Sequence, residues 1–158
     1  MPASPLPDDG VYVNDLAMKA VTAFKDGCDC ETSIVAVFDD YLGIKILDGL
    51  EPQNRRTGLG FQVPCGAIMG AKRVLAVALE NDPKLPELLR GLENLFARKH
   101  KGTTCQYLTA RVKWGEHRRH CGKYVYSAVE YLCLLLETRL AQKLEDEIKS
   151  NDPTATRH

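Results

Sequence analysis

Apolar residues recur at spacings of three and four along most of the chain, which predicts helices and no convincing strand. The first helix is expected to end at Gly27 and the second at Gly43, because glycine commonly follows a helix C-terminus. The predicted helices cover about residues 14–25, 30–42, 64–80 and 86–100, a short stretch from 104, and 121–149, and Asn14 is the expected N-cap of the first. The pattern therefore predicts an all-α protein, a compact single-domain helical bundle of five to six helices.

A long irregular connection, residues 44–63, separates helices two and three. Connections of this length in a compact domain are often functional or mobile. Its Gly58-Leu59-Gly60 is no dinucleotide fingerprint, because no strand precedes it and the third glycine is missing. Helix three is apolar all round apart from Lys72 and Arg73, which predicts the most buried helix. We expect one domain over 14–149, between a flexible N-terminal segment, 1–13, and a disordered tail, 150–158.

Length and charge narrow the classes of function. The 158 residues, 17.6 kDa, are enough to bury a core without disulfides. Lys and Arg number 21, as do Asp and Glu, so the basic field that drives nucleic-acid binding is missing. The apolar runs are far shorter than a membrane helix, and the N-terminus does not resemble a signal peptide. We expect a cytoplasmic protein with no nucleic-acid or membrane partner.

The chain has six cysteines, which in a reducing compartment indicate metal binding or thiol chemistry more often than disulfides. Four of them open predicted helices. A helix N-terminus carries about half a positive charge, which stabilises a thiolate. Helix starts that converge would form an electropositive pocket with four sulfur ligands. The four residues are Cys30, Cys65, Cys105 and Cys121.

Cys133 and Cys28 need a separate interpretation. Cys133 lies twelve residues beyond Cys121, about 18 Å along one helix, whereas a disulfide needs Cα atoms within about 7 Å. Packing is the expected role of Cys133. Cys28 is either a further ligand, a resolving thiol, or a residue of the turn after Gly27, and the turn is favoured.

The segment from Cys65 to Ala71 is the most specific motif. Gly66 and Gly70 stand one turn apart on one helix face, as do Ala67 and Ala71. Glycine inside a helix costs about 1 kcal/mol relative to alanine, so two of them require compensation. One source is tight helix packing. The other is the close approach of a bulky cofactor or of the other cysteines, and both can hold together.

At this motif the chain resembles a family of redox-active proteins that is named for its C_GCAxxG_C_C cysteine pattern. The stretch from Cys65 to Gly70 fits the family's CGAxxG signature. Cys30, Cys105 and Cys121 match its first, third and fourth cysteine positions, and the similarity covers about residues 14–140.

The resemblance implies redox activity or metal binding through the four cysteines, and an iron–sulfur cluster is favoured because similar domains occur in cytochromes that carry such a centre. The family's glycine-rich run before the signature is reduced here to Gly58 and Gly60, and Pro64 directly precedes Cys65. If that loop shapes the pocket, the site is altered or partly occupied in this chain.

The leading hypothesis is an electron-transfer or redox-sensing module with a two-iron, two-sulfur cluster on the four thiolates. The rivals are a metal-free thiol–disulfide protein and a structural zinc module, and the absence of a Cys-x-x-Cys knuckle disfavours zinc. His117 and His120, beside Cys121, are additional candidate ligands, although a solvated polar loop also explains them. We expect a redox partner protein. The sequence is compatible both with a monomer and with a homodimer that shares the site.

Overall fold

The computed structural model describes residues 10–46, 65–108, 110 and 116–150, without the side chains of 10, 11, 105, 106, 117–119 and 150. This part of the chain contains six helices and no strand, which confirms the predicted all-α bundle. Most of the predicted irregular connection lies outside the described residues, with Gly58, Gly60 and Pro64, and so do both ends. The helices are α1 (Gly10–Lys25), α2 (Cys30–Leu42), α3 (Gly66–Ala78), α4 (Leu85–His100), α5 (Cys105–Leu108) and α6 (His117–Ser150).

Helix α1 begins four residues earlier than the predicted start at Asn14. Its first turn is fixed by tertiary contacts, because the Tyr12 hydroxyl donates to Glu137 of α6 and its ring stacks on Tyr41 at 6.0 Å between centroids. The Asn14 side chain accepts a hydrogen bond from Tyr126 instead of capping a helix. Contacts with other helices therefore extend α1 beyond the residue that looked like its cap.

The connection between α1 and α2 takes its shape from three consecutive residues. Gly27 has a φ of 128°, and the Cys28 N–H donates to the Ala23 carbonyl at 3.1 Å, which closes α1 in a Schellman-type turn. Asp29 is the N-cap of α2, and its Oδ1 accepts the Thr32 N–H at 2.7 Å. The structure thus places Cys28 in the turn after Gly27, and Cys30 in the first position of α2.

Helix α6 is the centre of the bundle and packs against α1, α2, α3 and α4. Helix α3, which the sequence predicts to be the most buried helix, buries seven of its 13 residues, whereas Arg73 is exposed and Val77 is 42% exposed. The opposite face of α3 packs against α2, α4 and α6. The largest fully buried apolar side chains of the bundle are Phe38, Phe96, Ile34, Ile68, Leu75, Leu79, Leu92 and Leu132.

The start of α6 differs from the sequence prediction. The helix begins at His117, and the His120 N–H donates to the Glu116 carbonyl at 3.0 Å. Cys121 is therefore the fifth residue of α6, in its second turn, and does not open the helix. Residues 117–120 are all polar and therefore show no apolar period. The apolar pattern consequently predicts a start of α6 that is one turn too late.

Asp82 joins the turn between α3 and α4 to α6. Its carboxylate accepts hydrogen bonds from Arg139 Nε at 2.8 Å and Nη2 at 2.9 Å, and the Lys84 backbone N–H donates to it at 2.9 Å. The hydrogen bond from Arg139 is the main cause that lowers the pKa of Asp82 to about 2, against the opposing effect of burial. The carboxylate is therefore ionised at neutral pH.

Across the described residues, none of the helices combines the length and the apolar character needed to cross a membrane.

Candidate thiol site

Cys30 is buried at the N-terminus of α2, a helix of 13 residues. The Asp29 cap fixes this position, because its side chain takes up one of the unpaired N–H groups of the first turn. A sulfur in the first position of a helix lies at the positive end of the helix dipole, which favours the thiolate form. This placement agrees with the prediction from the sequence.

Cys65 is the N-cap of α3, with φ −58° and ψ 132°, and its side chain is 4% exposed. Its backbone N–H donates to the Thr103 carbonyl at 2.7 Å. That hydrogen bond brings the segment before α5 against the start of α3. The chain positions of Cys65 and Cys105, 40 residues apart in sequence, are thereby brought into neighbouring segments.

Cys105 is the first residue of α5, which is a single turn of four residues. Thr104 caps this turn, since its Oγ1 accepts the Tyr107 N–H at 3.2 Å. The side chain of Cys105 lies outside the described part of the structure. One turn has few aligned peptide dipoles, so the helix-start argument is weaker for Cys105 than for Cys30 or Cys65.

Tyr124 follows Cys121 on α6, and α6 packs against α3, the helix that Cys65 caps. The Tyr124 side chain is buried in α6, one turn after Cys121. Burial is the main cause that raises the pKa of Tyr124, and negative charge on Cys121 and Cys65 adds to it. The phenol is therefore protonated at neutral pH, and a thiolate at either cysteine would favour its protonated form.

Two histidines surround the Tyr124 ring, and neither their contacts nor the tyrosine was anticipated from the sequence. His120 packs edge-on against the ring at 5.2 Å and His100 at 4.7 Å between centroids. The His120 Nε2 lies 2.8 Å from the Tyr124 hydroxyl and 3.0 Å from the Leu108 carbonyl oxygen. The spacing of four between His120 and Tyr124 is the sequence signal that could have paired them.

His100 brings α4 into the same cluster. Its Nε2 lies 3.0 Å from the Ser127 hydroxyl, and burial is the main cause that lowers the pKa of His100 to about 4. The positive charges of Lys99 and Lys123 add to this shift. His100 is therefore neutral at pH 7.

The CGAxxG segment forms the closest helix contact of the site region. A Cβ at Gly70 would lie 2.9 Å from the Glu31 carbonyl oxygen and 3.2 Å from Ile34 Cβ, so α2 and α3 touch backbone to backbone there. Gly66 and Ala67 are also buried. Glu31 is 1% exposed and its carboxylate pairs with Arg73. Tight packing explains Gly70, and it brings the residue after Cys30 against α3.

The remaining candidate residues are distributed around this region. Cys28 is half-buried in the turn after α1, and the side chain of His117 lies outside the described residues. Cys133 is 3% exposed on the same continuous helix as Cys121, and burial raises its pKa to about 12. A thiol with that pKa stays protonated at neutral pH, which suits packing and not redox chemistry.

Among the side chains that the structure describes, no three His, Cys, Asp or Glu residues form a group that could hold a metal ion. The side chains of Cys105 and His117 are not among those that the structure describes. The described geometry therefore relates the cysteine positions in pieces: Cys65 and the start of α5 through Thr103, α2 and α3 through Gly70, and α3 and α6 through their packing.

The sequence model of the family described as "Putative redox-active protein (C_GCAxxG_C_C)" matches residues 28–134. The match covers more than half of the chain and includes all four family cysteines, so this protein belongs to that family of redox-active proteins. Searches of curated proteins and of solved structures each gave no match.

Proposed function

We propose that the chain is an electron-transfer or redox-sensing protein whose four family cysteines form one thiolate site that ligates a two-iron, two-sulfur cluster. The four are Cys30, Cys65, Cys105 and Cys121. The observation that carries the proposal is the hydrogen bond from the Cys65 N–H to the Thr103 carbonyl, which brings the start of α3 against the segment that leads into Cys105. Membership of the redox-active family supports the same residues.

The chain's own contribution would be to stabilise thiolates and to exclude water. Cys30 and Cys65 lie at the positive ends of 13-residue helices, and both are buried. A bound cluster would supply one-electron chemistry, and its potential would depend on burial and on hydrogen bonds to sulfur. A redox partner protein is required to deliver or accept the electron.

Anaerobic purification, followed by a visible spectrum and by iron and sulfide analysis, tests the proposal. We expect two irons and two sulfides per chain, with charge-transfer bands that bleach on reduction. Removing one thiolate leaves three of the four ligands that the cluster needs. Ser substitution of any of the four cysteines should therefore remove most of the bound iron.

Two substitutions provide matched controls. Cys133→Ala removes a buried thiol from the same helix as Cys121 and should leave the iron content unchanged. Cys28→Ser removes the half-buried thiol nearest to Cys30 in sequence, and an unchanged iron content would exclude Cys28 as a ligand. Loss of iron in the Cys133 variant would contradict the proposed ligand set.

Dithiol–disulfide exchange is the second candidate, favoured by the placement of Cys30 and Cys65 at helix N-termini, which stabilises an attacking thiolate. In that reaction two protein thiols lose two electrons to an oxidising disulfide: one S–S bond forms in the protein, the S–S bond of the oxidant breaks, and its two sulfurs take up the two protons as thiols. A colourless, metal-free protein whose Cys65 and Cys121 are joined after treatment with oxidised glutathione would establish it in place of the cluster. One zinc per chain without a redox response would establish a structural site.

A further inference from the structure

Three polar atoms form a triangle between α5 and α6. The Leu108 carbonyl oxygen lies 3.0 Å from His120 Nε2 and 3.1 Å from the Tyr124 hydroxyl, and these two groups are 2.8 Å apart. Leu108 and Tyr124 are buried, 6% and 5% exposed. The triangle is the described polar link between the cysteine-bearing turn α5 and the cysteine-bearing helix α6.

The hydrogen bonds of the triangle can be assigned from its donors. A carbonyl oxygen only accepts, and it has two lone pairs. The Tyr124 hydroxyl donates to one of them. The tautomer of His120 that carries its proton on Nε2 supplies the second donor and leaves no acceptor facing an acceptor. Carbonyls in the last turn of a helix lack intrahelical partners, and that of Leu108, the last residue of α5, finds its donors on α6.

A single helical turn is not stable in isolation, so the position of α5 depends on what anchors it. The segment before α5 is held at Thr103, whose carbonyl accepts the Cys65 N–H. The end of α5 is held at Leu108 by the triangle. Cys105 lies between these two anchors, three residues before Leu108.

We propose that His120 and Tyr124 are positioning residues of the thiol site, which hold α5, and with it Cys105, against α6. This inference rests on the proposed function, because it assigns Cys105 to the same site as Cys65 and Cys121. The two residues act through the Leu108 carbonyl and do not themselves react.

The surrounding rings make the triangle rigid. The Tyr124 ring packs edge-on against His100 and lies 5.9 Å from the ring of Phe96, both on α4. The His100 ring is itself held by its contact with Ser127 of α6. The packing of the Tyr124 ring within α4 and α6 therefore fixes the direction of its hydroxyl independently of α5.

Tyr124→Phe is the direct test, because it keeps the ring packing and removes one donor to Leu108. The matched control is Tyr126→Phe, which removes a hydroxyl from the same helix where it donates to Asn14, away from α5. His120→Ala removes the other donor, and His120→Gln keeps an amide N–H that can replace it. All four variants are compared with the wild-type chain.

Two readouts separate positioning from general stability. Amide hydrogen exchange of residues 106–108 in the reduced, metal-free protein reports the opening of α5, and alkylation of buried Cys133 reports the opening of the whole bundle. Loss of one buried hydrogen bond should raise α5 exchange about fivefold to tenfold in Tyr124→Phe and His120→Ala. Cys133 alkylation should stay at the wild-type rate, and His120→Gln should restore most of the protection.

A further measurement, in addition to exchange and alkylation, is iron uptake from ferrous iron and sulfide under anaerobic conditions. Tyr124→Phe should retain several-fold less iron than Tyr126→Phe. Unchanged α5 exchange, equal rises at α5 and at Cys133, or normal iron uptake despite an opened α5 would each overturn the positioning role. A wild-type chain that binds no iron would overturn the cluster instead, while the exchange measurement still decides whether the triangle holds α5.

Discussion

A neutral histidine lies in the α4–α6 interface beside the thiol site. Burial, with Lys99 and Lys123 nearby, lowers the pKa of His100 to about 4, against 6.5 for an unperturbed side chain. The unfolded chain therefore binds a proton more readily than the folded one between pH 6.5 and 4. The stabilisation that depends on neutral His100 is present above about pH 6.5 and is lost as the pH falls towards 4.

His100→Gln should flatten that part of the pH dependence, because glutamine can keep a hydrogen bond to Ser127 but does not titrate. The measurement is urea unfolding of both proteins at pH 7.5 and pH 5, where the wild type should lose more free energy of unfolding than the variant. Equal losses in the two proteins would show that His100 is not the titrating group.

Some residues of the site could be located from the sequence, and others could not. Cys30 was placed correctly because its signals are local: Gly27 ends one helix and Asp29 begins the next. The roles of Tyr124 and His100 depend on α4 and α6 lying side by side, and no local pattern encodes that contact. Cys121 was misplaced by one turn because the residues before it are polar, so no apolar period marks the true start of α6.

At the scale of elements, the contact between α2 and α3 depends on the absence of a side chain at Gly70. A methyl group there would meet the Glu31 carbonyl oxygen at 2.9 Å and Ile34 Cβ at 3.2 Å, so α2 would have to move away from α3. Overpacking of this kind costs about 1–3 kcal/mol. Gly70→Ala should therefore lower the free energy of unfolding by that amount, measured by urea unfolding.

Gly91→Ala is the matched control for this prediction. Gly91 is also inside a helix, but its Cβ would meet one atom, Leu135 Cδ2, at an ordinary 4.0 Å. Replacing a helical glycine by alanine without strain stabilises a helix by up to about 1 kcal/mol. The two substitutions should therefore change stability in opposite directions. A Gly70 variant as stable as the wild type would contradict the close contact.

The elements themselves could be predicted to within a turn, because each helix carries an apolar stripe or a recognisable end signal. The early start of α1 could not, because Tyr12 is held by Glu137 and Tyr41 on other helices. The exposed face of α3 was also missed, since Val77 gives the same apolar signal whether it is buried or not. The start of α1 and the exposed face of α3 depend on tertiary contacts, which the local sequence pattern does not encode.

At the scale of the whole molecule, Asp82 ties the α3–α4 turn to the long helix α6. Arg139 lowers the pKa of Asp82 to about 2, below the ordinary value of 3.8, so the stabilisation is present above about pH 4 and is lost as the pH falls towards 2. Arg139→Gln should destabilise the protein at pH 7 and weaken the acid transition between pH 4 and 2. Circular dichroism during acid titration checks both effects.

Lys84→Gln is the control for the Asp82 contact. Lys84 pairs with Glu87 at 3.9 Å through exposed side chains, and its backbone N–H to Asp82 is kept in the variant. Exposed pairs contribute little to stability, so this variant should unfold like the wild type. If it were as unstable as Arg139→Gln, a general loss of positive charge would explain both.

The last part of α6 offers a test of where the folded bundle ends. The side chains from Ala141 to Lys149 are exposed, including Leu144 at 57% and Ile148 at 61%. A chain that stops after Lys143 keeps the contacts of Arg139 and Lys143 with Asp82, and should lose less than about 0.5 kcal/mol of unfolding free energy.

A chain that stops after Thr138 removes both basic partners of Asp82 and should be clearly less stable than the longer truncation. Thermal unfolding of the two truncated proteins at several concentrations separates the contributions. If the chain that ends at Lys143 were also strongly destabilised, and more so on dilution, then Leu144 and Ile148 would have to be covered by a second chain. If the chain that ends at Lys143 instead unfolds like the full chain, independently of concentration, then the cooperatively folding part of α6 ends near the contacts with Asp82.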